Sequence, residues 1–113
     1  MNDRDRLLGI LHANPGNPRA NDCLAALAAH ADAEVVSTGP LPRAHVLTIL
    51  RRRGEMSAAG LTRAGDYEAP LAALAASANE TVRVSDITIG DRDWVVLTTP
   101  SEQLIDVLSL APR

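Results

Sequence analysis

The sequence predicts a single α+β domain that is rich in helix. Its 113 residues fall within the usual size of one domain, and 46% of them are hydrophobic. Apolar residues recur at helical spacing over most of the chain, whereas residues 81–99 form two runs of β-branched residues. With one Trp, one Tyr and no Phe, the core has to be filled by Leu, Val, Ile and Ala.

The first forty residues predict two helices and a strand. A short helix buries Leu7, Leu8, Ile10 and Leu11 and stops at the breakers Asn14, Pro15 and Gly16. Asn17 caps the second helix and Pro18 suits its first position. The apolar stripe of this helix consists of Ala20, Cys23, Leu24, Leu27, Ala28 and Ala31. Residues 34–38 then read as a strand that ends at Gly39 and Pro40.

A third helix is predicted over residues 42–53, with Gly54 as its stop. The helical rotation places Arg51 and Arg52 on the polar face and turns Arg53 towards the apolar arc. After the glycine, a short helix capped by Ser57 uses Leu61 as its buried anchor. A further helix over residues 67–79 follows, with a buried stripe of Leu71, Leu74, Ala75 and Ala78.

The last third of the chain predicts a hairpin and a final helix. The turn at residues 90–93 separates the two β-branched runs. Within the first run, Val82 and Ile87 have opposite parity, so burial of both on one face requires a bulge near residues 85–86. Thr99 and Glu102 have the spacing of a capping box around Pro100. The predicted helix that they open buries Leu104, Ile105, Val107 and Leu108.

Residues 42–99 resemble a winged helix-turn-helix domain. The resemblance comes from the order of VLTILRRRGEMSAAGLTRA, LAALAAS and TVRVSDITIGDRDWVVLTT, which gives three helices and then a hairpin. It implies a winged-helix-like core over residues 40–100 of the single domain 1–113. A helical extension with a short strand, residues 1–39, precedes this core, and a C-terminal helix, residues 101–113, follows it. We expect the apolar faces of the flanking helices to pack on each other, either within one chain or across the two-fold axis of a dimer.

The resemblance implies a DNA-binding transcriptional or phage-type regulator that acts as a homodimer. The helix over residues 67–79 then faces the major groove of double-stranded DNA. Tyr67, Ser77 and Asn79 of this helix are the side chains that would contact base edges. In this family the hairpin is called the wing. The expected phosphate contacts are Arg63 in the segment before the helix, Arg83 on the first strand of the hairpin and Arg92 at its tip.

Composition leaves a second hypothesis open, since the net charge is −3 and the predicted recognition helix has no Arg or Lys. The same scaffold would then serve a non-enzymatic adaptor or inhibitor that binds a protein partner. Arg51 and Arg52 have two interpretations as well, a phosphate contact or a solvated helix end.

The sequence argues against an enzyme, a metal site or a bound cofactor. The three histidines, His12, His30 and His45, lie on different predicted helices and have no recognised metal-ligand spacing. The single cysteine, Cys23, lies on an apolar stripe, where a small buried hydrophobe is expected rather than a nucleophile. The absence of a leader or a long apolar span predicts a soluble, cytoplasmic protein.

Overall fold

A four-stranded antiparallel sheet, with strand order β1-β2-β3-β4, forms the middle layer of the fold. The computed structural model describes residues 2–113. In chain order the elements are α1 (Asp3–His12), α2 (Pro18–Ala29), β1 (Glu34–Pro42), α3 (Arg43–Ala58), α4 (Glu68–Ala76), β2 (Thr81–Ile89), β3 (Arg92–Thr98) and β4 (Leu104–Leu110). The predicted α+β class is confirmed. None of these helices is both long and apolar enough to cross a bilayer.

The two N-terminal helices form where the sequence predicts, but the predicted apolar stripe of α2 is wrong at two positions, because Ala28 is exposed and Ala31 lies exposed beyond the end of the helix. The Asn17 side chain accepts hydrogen bonds from the backbone N–H groups of Arg19 at 3.0 Å and Ala20 at 3.1 Å, and Pro18 occupies the first turn of α2. Together α1 and α2 bury Leu7, Leu11, Ala20, Cys23 and Leu27 against one face of the sheet. This cluster also contains Ile87, Trp94, Val96 and Val107 from the strands.

The other face of the sheet packs against α3 and α4. Val46, Leu47 and Leu50 of α3 and Leu74 of α4 are buried there. The strands contribute Val82, Val95, Leu97 and Leu108 to this second core. Since successive side chains of a strand point to opposite faces, β3 alternates between the two cores through Trp94, Val95, Val96 and Leu97.

Helices on both faces remove the need for the bulge expected in β2. Val82 is buried on the α3–α4 side and Ile87 on the α1–α2 side, so the opposite parity needs no correction. The β2–β3 pairing runs in continuous register from Arg83 to Ile89. The irregularity on the other edge of β2 lies instead in β1, between Thr38 and Leu41.

The predicted C-terminal helix is wrong, because residues Leu104–Leu110 form β4. This segment pairs with the free edge of β3 and buries Val107 in one core and Leu108 in the other. Thr99 is not a helix cap. Its hydroxyl accepts a hydrogen bond from the Gln103 N–H at 3.1 Å, and Glu102 adopts a positive φ of 66°, within the loop that joins β3 to β4.

The predicted helix stop at Gly54 and the short helix after it are also wrong. Helix α3 continues through Gly54, where a Cβ would lie 3.3 Å from the ring of Tyr67. Gly54 therefore allows the ring of Tyr67 to pack closely against α3. The helix ends at Ala58, and Gly60 just beyond it has a φ of +76°, with hydrogen bonds from the Gly60 N–H to the Ser57 carbonyl and from the Leu61 N–H to the Met56 carbonyl. Leu61 is 73% exposed and anchors no core.

Two helices, rather than three, therefore lie between β1 and the hairpin. The predicted helix over residues 67–79 exists as α4 but is shorter, because Ser77 takes an extended conformation and ends it. The predicted hairpin is confirmed as β2 and β3. These two strands are the inner strands of the sheet, flanked by β1 and β4, whereas the resemblance implies a hairpin that projects as a wing.

A buried carboxylate ties α2 to β4. Asp106 is 4% exposed and accepts hydrogen bonds from the Arg19 guanidinium at 3.0 and 3.1 Å and from the Asn17 amide at 2.9 Å. The hydrogen bond with Asp106 raises the pKa of Arg19. Because the buried charge is matched by these donors, loss of either partner leaves an unpaired polar group.

Asp106→Ala should lower the free energy of unfolding by about 3 kcal/mol in urea denaturation, because Asn17 and Arg19 lose their shared acceptor. Asp66→Ala is the matched control. Asp66 is a second carboxylate partner of Arg19 at 3.8 Å, but its side chain is 53% exposed, so its loss should cost about 0.5 kcal/mol or less. Equal effects of the two substitutions would contradict a structural role for the buried pair.

Candidate functional site

Arg63, predicted to contact phosphate, is held in contacts with the C-terminal end of the chain. Its guanidinium pairs with the carboxylate of Asp93. The same side chain donates to the carbonyl oxygen of Ala111 at 3.0 Å and to that of Asp91 at 3.1 Å. Each donor that reaches these oxygens is unavailable to a DNA backbone in this conformation.

Arg83 and Arg92 lie on the face of the sheet opposite α4. Arg92 stacks over Trp94, 5.1 Å from the ring centroid, and approaches Asp22 of α2 at 3.6 Å. Arg83 lies 3.9 Å from Glu102, which also approaches Arg6 of α1. These two arginines therefore belong to the α1–α2 side.

The remaining predicted DNA contacts lie at the two ends of α4. Tyr67 precedes the helix and packs against Gly54 of α3. Ser77 follows it, and its hydroxyl accepts hydrogen bonds from the backbone and side-chain N–H groups of Asn79 at 3.3 and 3.4 Å. The structure thus brings Ser77 and Asn79 together, and it does not gather the six predicted residues on one surface.

Cys23 is fully buried in the α1–α2 core and is a free thiol. Burial raises the pKa of this thiol to about 12, and the nearby negative charge of Asp22 adds to the effect. The protonated thiol is a poor nucleophile at neutral pH. No group of three potential His, Cys, Asp or Glu ligands surrounds a metal position in the described part of the chain.

Three arginines of α3 stand apart from the other eight. Six arginines form ion pairs, namely Arg6, Arg19, Arg63, Arg83, Arg92 and Arg113. Arg4 and Arg43 donate to backbone carbonyl oxygens. Among residues 2–113, no ion-pair or hydrogen-bond partner contacts the exposed side chains of Arg51, Arg52 and Arg53. In a chain with a net charge of −3, these are the cations available to a ligand.

A groove lies beside these arginines, between α3 and strands β1, β2 and β3. Its volume is about 220 Å³, and its lining includes Thr38, His45, Ile49, Arg53, Val84 and Asp86; we call it the α3 groove. This volume is below the roughly 300–1,000 Å³ of pockets that enclose small molecules. It suits one or two side chains of a larger partner.

Exposed apolar residues surround the α3 groove. Val36 is 51% exposed and pairs with Asp86, so the two share a face of the sheet. Ile49 is 39% exposed, and it also lines a second cavity of about 410 Å³ that includes Arg52 and the exposed Met56. Desolvation raises the pKa of Asp86, and the charge of Arg53 opposes this effect. The groove therefore combines apolar surface with available positive charge.

The sequence indicated part of this site. The predicted rotation of Arg53 towards the apolar arc of α3 is confirmed by its place in the groove lining. Ile49 precedes the buried Leu50 in the same helix but is itself 39% exposed. Val36 and Asp86 were missed, because no local pattern shows which part of a sheet face its helices leave uncovered.

The two outer edges of the sheet differ in their backbone pairing. Along β4, Asp66 N–H donates to Ser109 at 3.0 Å and Ala111 N–H donates to Ala64 at 2.8 Å, so a loop covers that edge. No residue of β1 is buried. Within residues 2–113, no backbone hydrogen bond outside the β1–β2 ladder reaches residues 34–38.

Comparison of the chain with protein-family models, curated proteins and solved structures finds no match. The winged helix-turn-helix resemblance therefore stays a prediction. The assignment of function depends on the geometry of the chain itself.

Arg63→Ala should destabilise the fold by about 2 kcal/mol in urea denaturation, since it breaks an ion pair and carbonyl contacts at once. Arg52→Ala is the matched control and should change stability by less than about 0.5 kcal/mol. Desolvation, the largest influence on Asp93, raises its pKa, but hydrogen bonds from Arg63, Arg113 and Thr88 outweigh it and leave the pKa lowered.

The lowered pKa of Asp93 fixes the sign of the pH dependence. The stabilisation that Asp93 supplies is complete above the unfolded-state pKa of about 4 and is lost as the pH falls through the lower folded-state pKa. The stability difference between wild type and Arg63→Ala should therefore shrink below about pH 4. A difference that stays constant from pH 7 to pH 2 would contradict this account.

Proposed function

We propose that this chain is a non-enzymatic adaptor or inhibitor that binds another protein through the α3 groove. The observation that supports this most strongly is the clustering of exposed apolar side chains and unpaired arginines at one corner of the molecule. Three of the four exposed large hydrophobic residues, Val36, Ile49 and Met56, lie in or next to this corner. Exposed apolar surface beside arginine is typical of protein interfaces.

A DNA-binding regulator is the second candidate, favoured by the exposed run of Arg51, Arg52 and Arg53. It ranks lower because its predicted contacts face different sides of the molecule, and α4 offers a duplex no positive charge. A homodimer would double the number of these arginines and so strengthen a weak contact. For either candidate the cytoplasm is a suitable compartment, because a buried free thiol such as Cys23 needs no oxidising environment.

Site-specific photo-crosslinking in the source cells would test the proposed interface. A benzophenone amino acid at position 49 should form a covalent adduct of defined mass with one protein partner. The same probe at position 28, which lies exposed on α2 in the opposite layer, is the matched control and should give none. Identical adducts from both positions, or no adduct from position 49, would count against the α3 groove as an interface.

Titration with a mixed-sequence DNA duplex separates the two candidates. The protein-binding proposal predicts no complex, or only weak binding that Arg51→Glu, Arg52→Glu and Arg53→Glu weaken alike. A tight complex whose affinity falls about 10³-fold or more between 50 and 200 mM salt would favour the DNA regulator, because such a slope reports several phosphate contacts.

A further inference from the structure

The outer edge of β1 is an open hydrogen-bonding edge next to the α3 groove. An edge strand presents N–H and C=O groups that an extended segment can pair with. Proline and a register shift interrupt β1 between Thr38 and Pro42, and such features usually block pairing. They leave residues 34–38 unprotected, and this is the part of β1 that carries Val36.

Side chains of an added strand would alternate between the two faces of the sheet. Those on the α3 side would lie beside Val36, which is half-exposed and has no neighbour on its outer side in the described chain. Ile49 and the open end of the α3 groove lie on the same face. An apolar side chain in the added strand would therefore bury surface that the chain itself leaves in water.

The positive charge of this corner favours a bound segment that carries carboxylates. Arg52 and Arg53 line the two cavities that share Ile49, and neither forms an ion pair within residues 2–113. Asp86 lines the same groove, where desolvation raises its pKa and the charge of Arg53 acts to lower it, but Asp86 and Arg53 form no ion pair in the described part of the chain. Carboxylates of an incoming segment would meet the free guanidinium groups, which bind such oxygens in a two-pronged geometry.

A second copy of the same chain fits this edge poorly. Antiparallel pairing of two β1 strands about a two-fold axis at Val36 would keep both α3 helices on the same side of the joined sheet. Both copies would then carry Arg52 and Arg53 on that one side of the joined sheet, and like charges that face each other are unfavourable.

We propose that an extended, acidic segment of a partner protein adds to β1 at residues 34–38 as a fifth strand. Its apolar side chains cover Val36 and Ile49, and its carboxylates pair with Arg52 and Arg53. This inference rests on the proposed protein-binding function and specifies the conformation and charge of the partner segment.

Selection from a displayed library of random linear peptides tests the chemistry of the occupant. The selected sequences should alternate apolar and acidic residues. A synthetic peptide of the selected sequence should bind at least tenfold more weakly to Ile49→Asp and to Arg53→Glu. Arg51→Glu is the matched control, because Arg51 lines neither cavity; at physiological salt its effect should stay below about threefold. Urea denaturation of each variant separates lost binding from lost folding.

Alternate N-methylation of the same peptide tests strand addition directly. In an antiparallel ladder only every second amide of the added strand points to its neighbour. Methylation of one alternate set of peptide nitrogens should therefore abolish binding, and methylation of the other set should change it less than about threefold. A side-chain-only contact would tolerate both methylated peptides, and a helical ligand would tolerate neither. Either of these results would overturn the inference.

Failure of the inference can be told apart from failure of the proposed function. A crosslink at position 49 without the alternating methylation pattern would keep the α3 groove as an interface and reject the added strand. Selection of basic or uncharged peptides would also reject the added strand. So would peptides whose binding does not change with Ile49→Asp, or a selection that yields no peptide. A dimer by light scattering that Arg53→Glu strengthens would identify a second copy as the occupant. Absence of the crosslink as well would remove the protein-binding function itself.

Discussion

Strand β3 is buried on both faces, and this burial determines how the other elements are arranged around it. Four consecutive side chains, Trp94 to Leu97, enter two separate hydrophobic clusters. A strand of this kind needs a strand on each edge and a helical layer on each side, because any side left open would expose either apolar surface or unpaired backbone. The helices α1 and α2 supply one layer and α3 and α4 the other, while β2 and β4 supply the edges.

The same burial explains which parts of the fold could be predicted from the sequence. Local signals, such as the Asn17 cap and the β2–β3 turn, were sufficient because neighbouring residues determine them. Leu104, Ile105, Val107 and Leu108 were ambiguous, since their spacing fits one face of a helix and equally a strand buried on both sides. The segment becomes a strand because β3 has a free edge with which it can pair, and the local sequence does not show that edge. The prediction that Gly54 ends the helix failed for a related reason. Gly54 makes room for the ring of Tyr67, which precedes α4 and lies outside the local sequence of α3.

The candidate site follows from what the two layers leave uncovered. Helix α3 leaves part of its face of the sheet uncovered, because Val36 of β1 is 51% exposed and Ile49 of α3 itself is 39% exposed. Elsewhere on the molecule, arginines are used to join elements, as Arg19 joins α2 to β4 and Arg63 joins the loop after α3 to the C-terminus. In the described part of the chain, Arg51, Arg52 and Arg53 of α3 have no such role. A sequence shows both kinds of arginine alike, and only the three-dimensional pairing separates them.

Amide hydrogen exchange across residues 34–38, with and without the selected peptide, measures whether the outer edge of β1 is open and whether it receives a strand. In the free protein, the outward amides of this segment should exchange far faster than those of β3 and of the covered edge of β4, because exchange requires no opening of the ladder. The peptide should then protect these amides. Strong protection in the free protein, or no change when the peptide binds, would contradict an open edge that receives a partner strand.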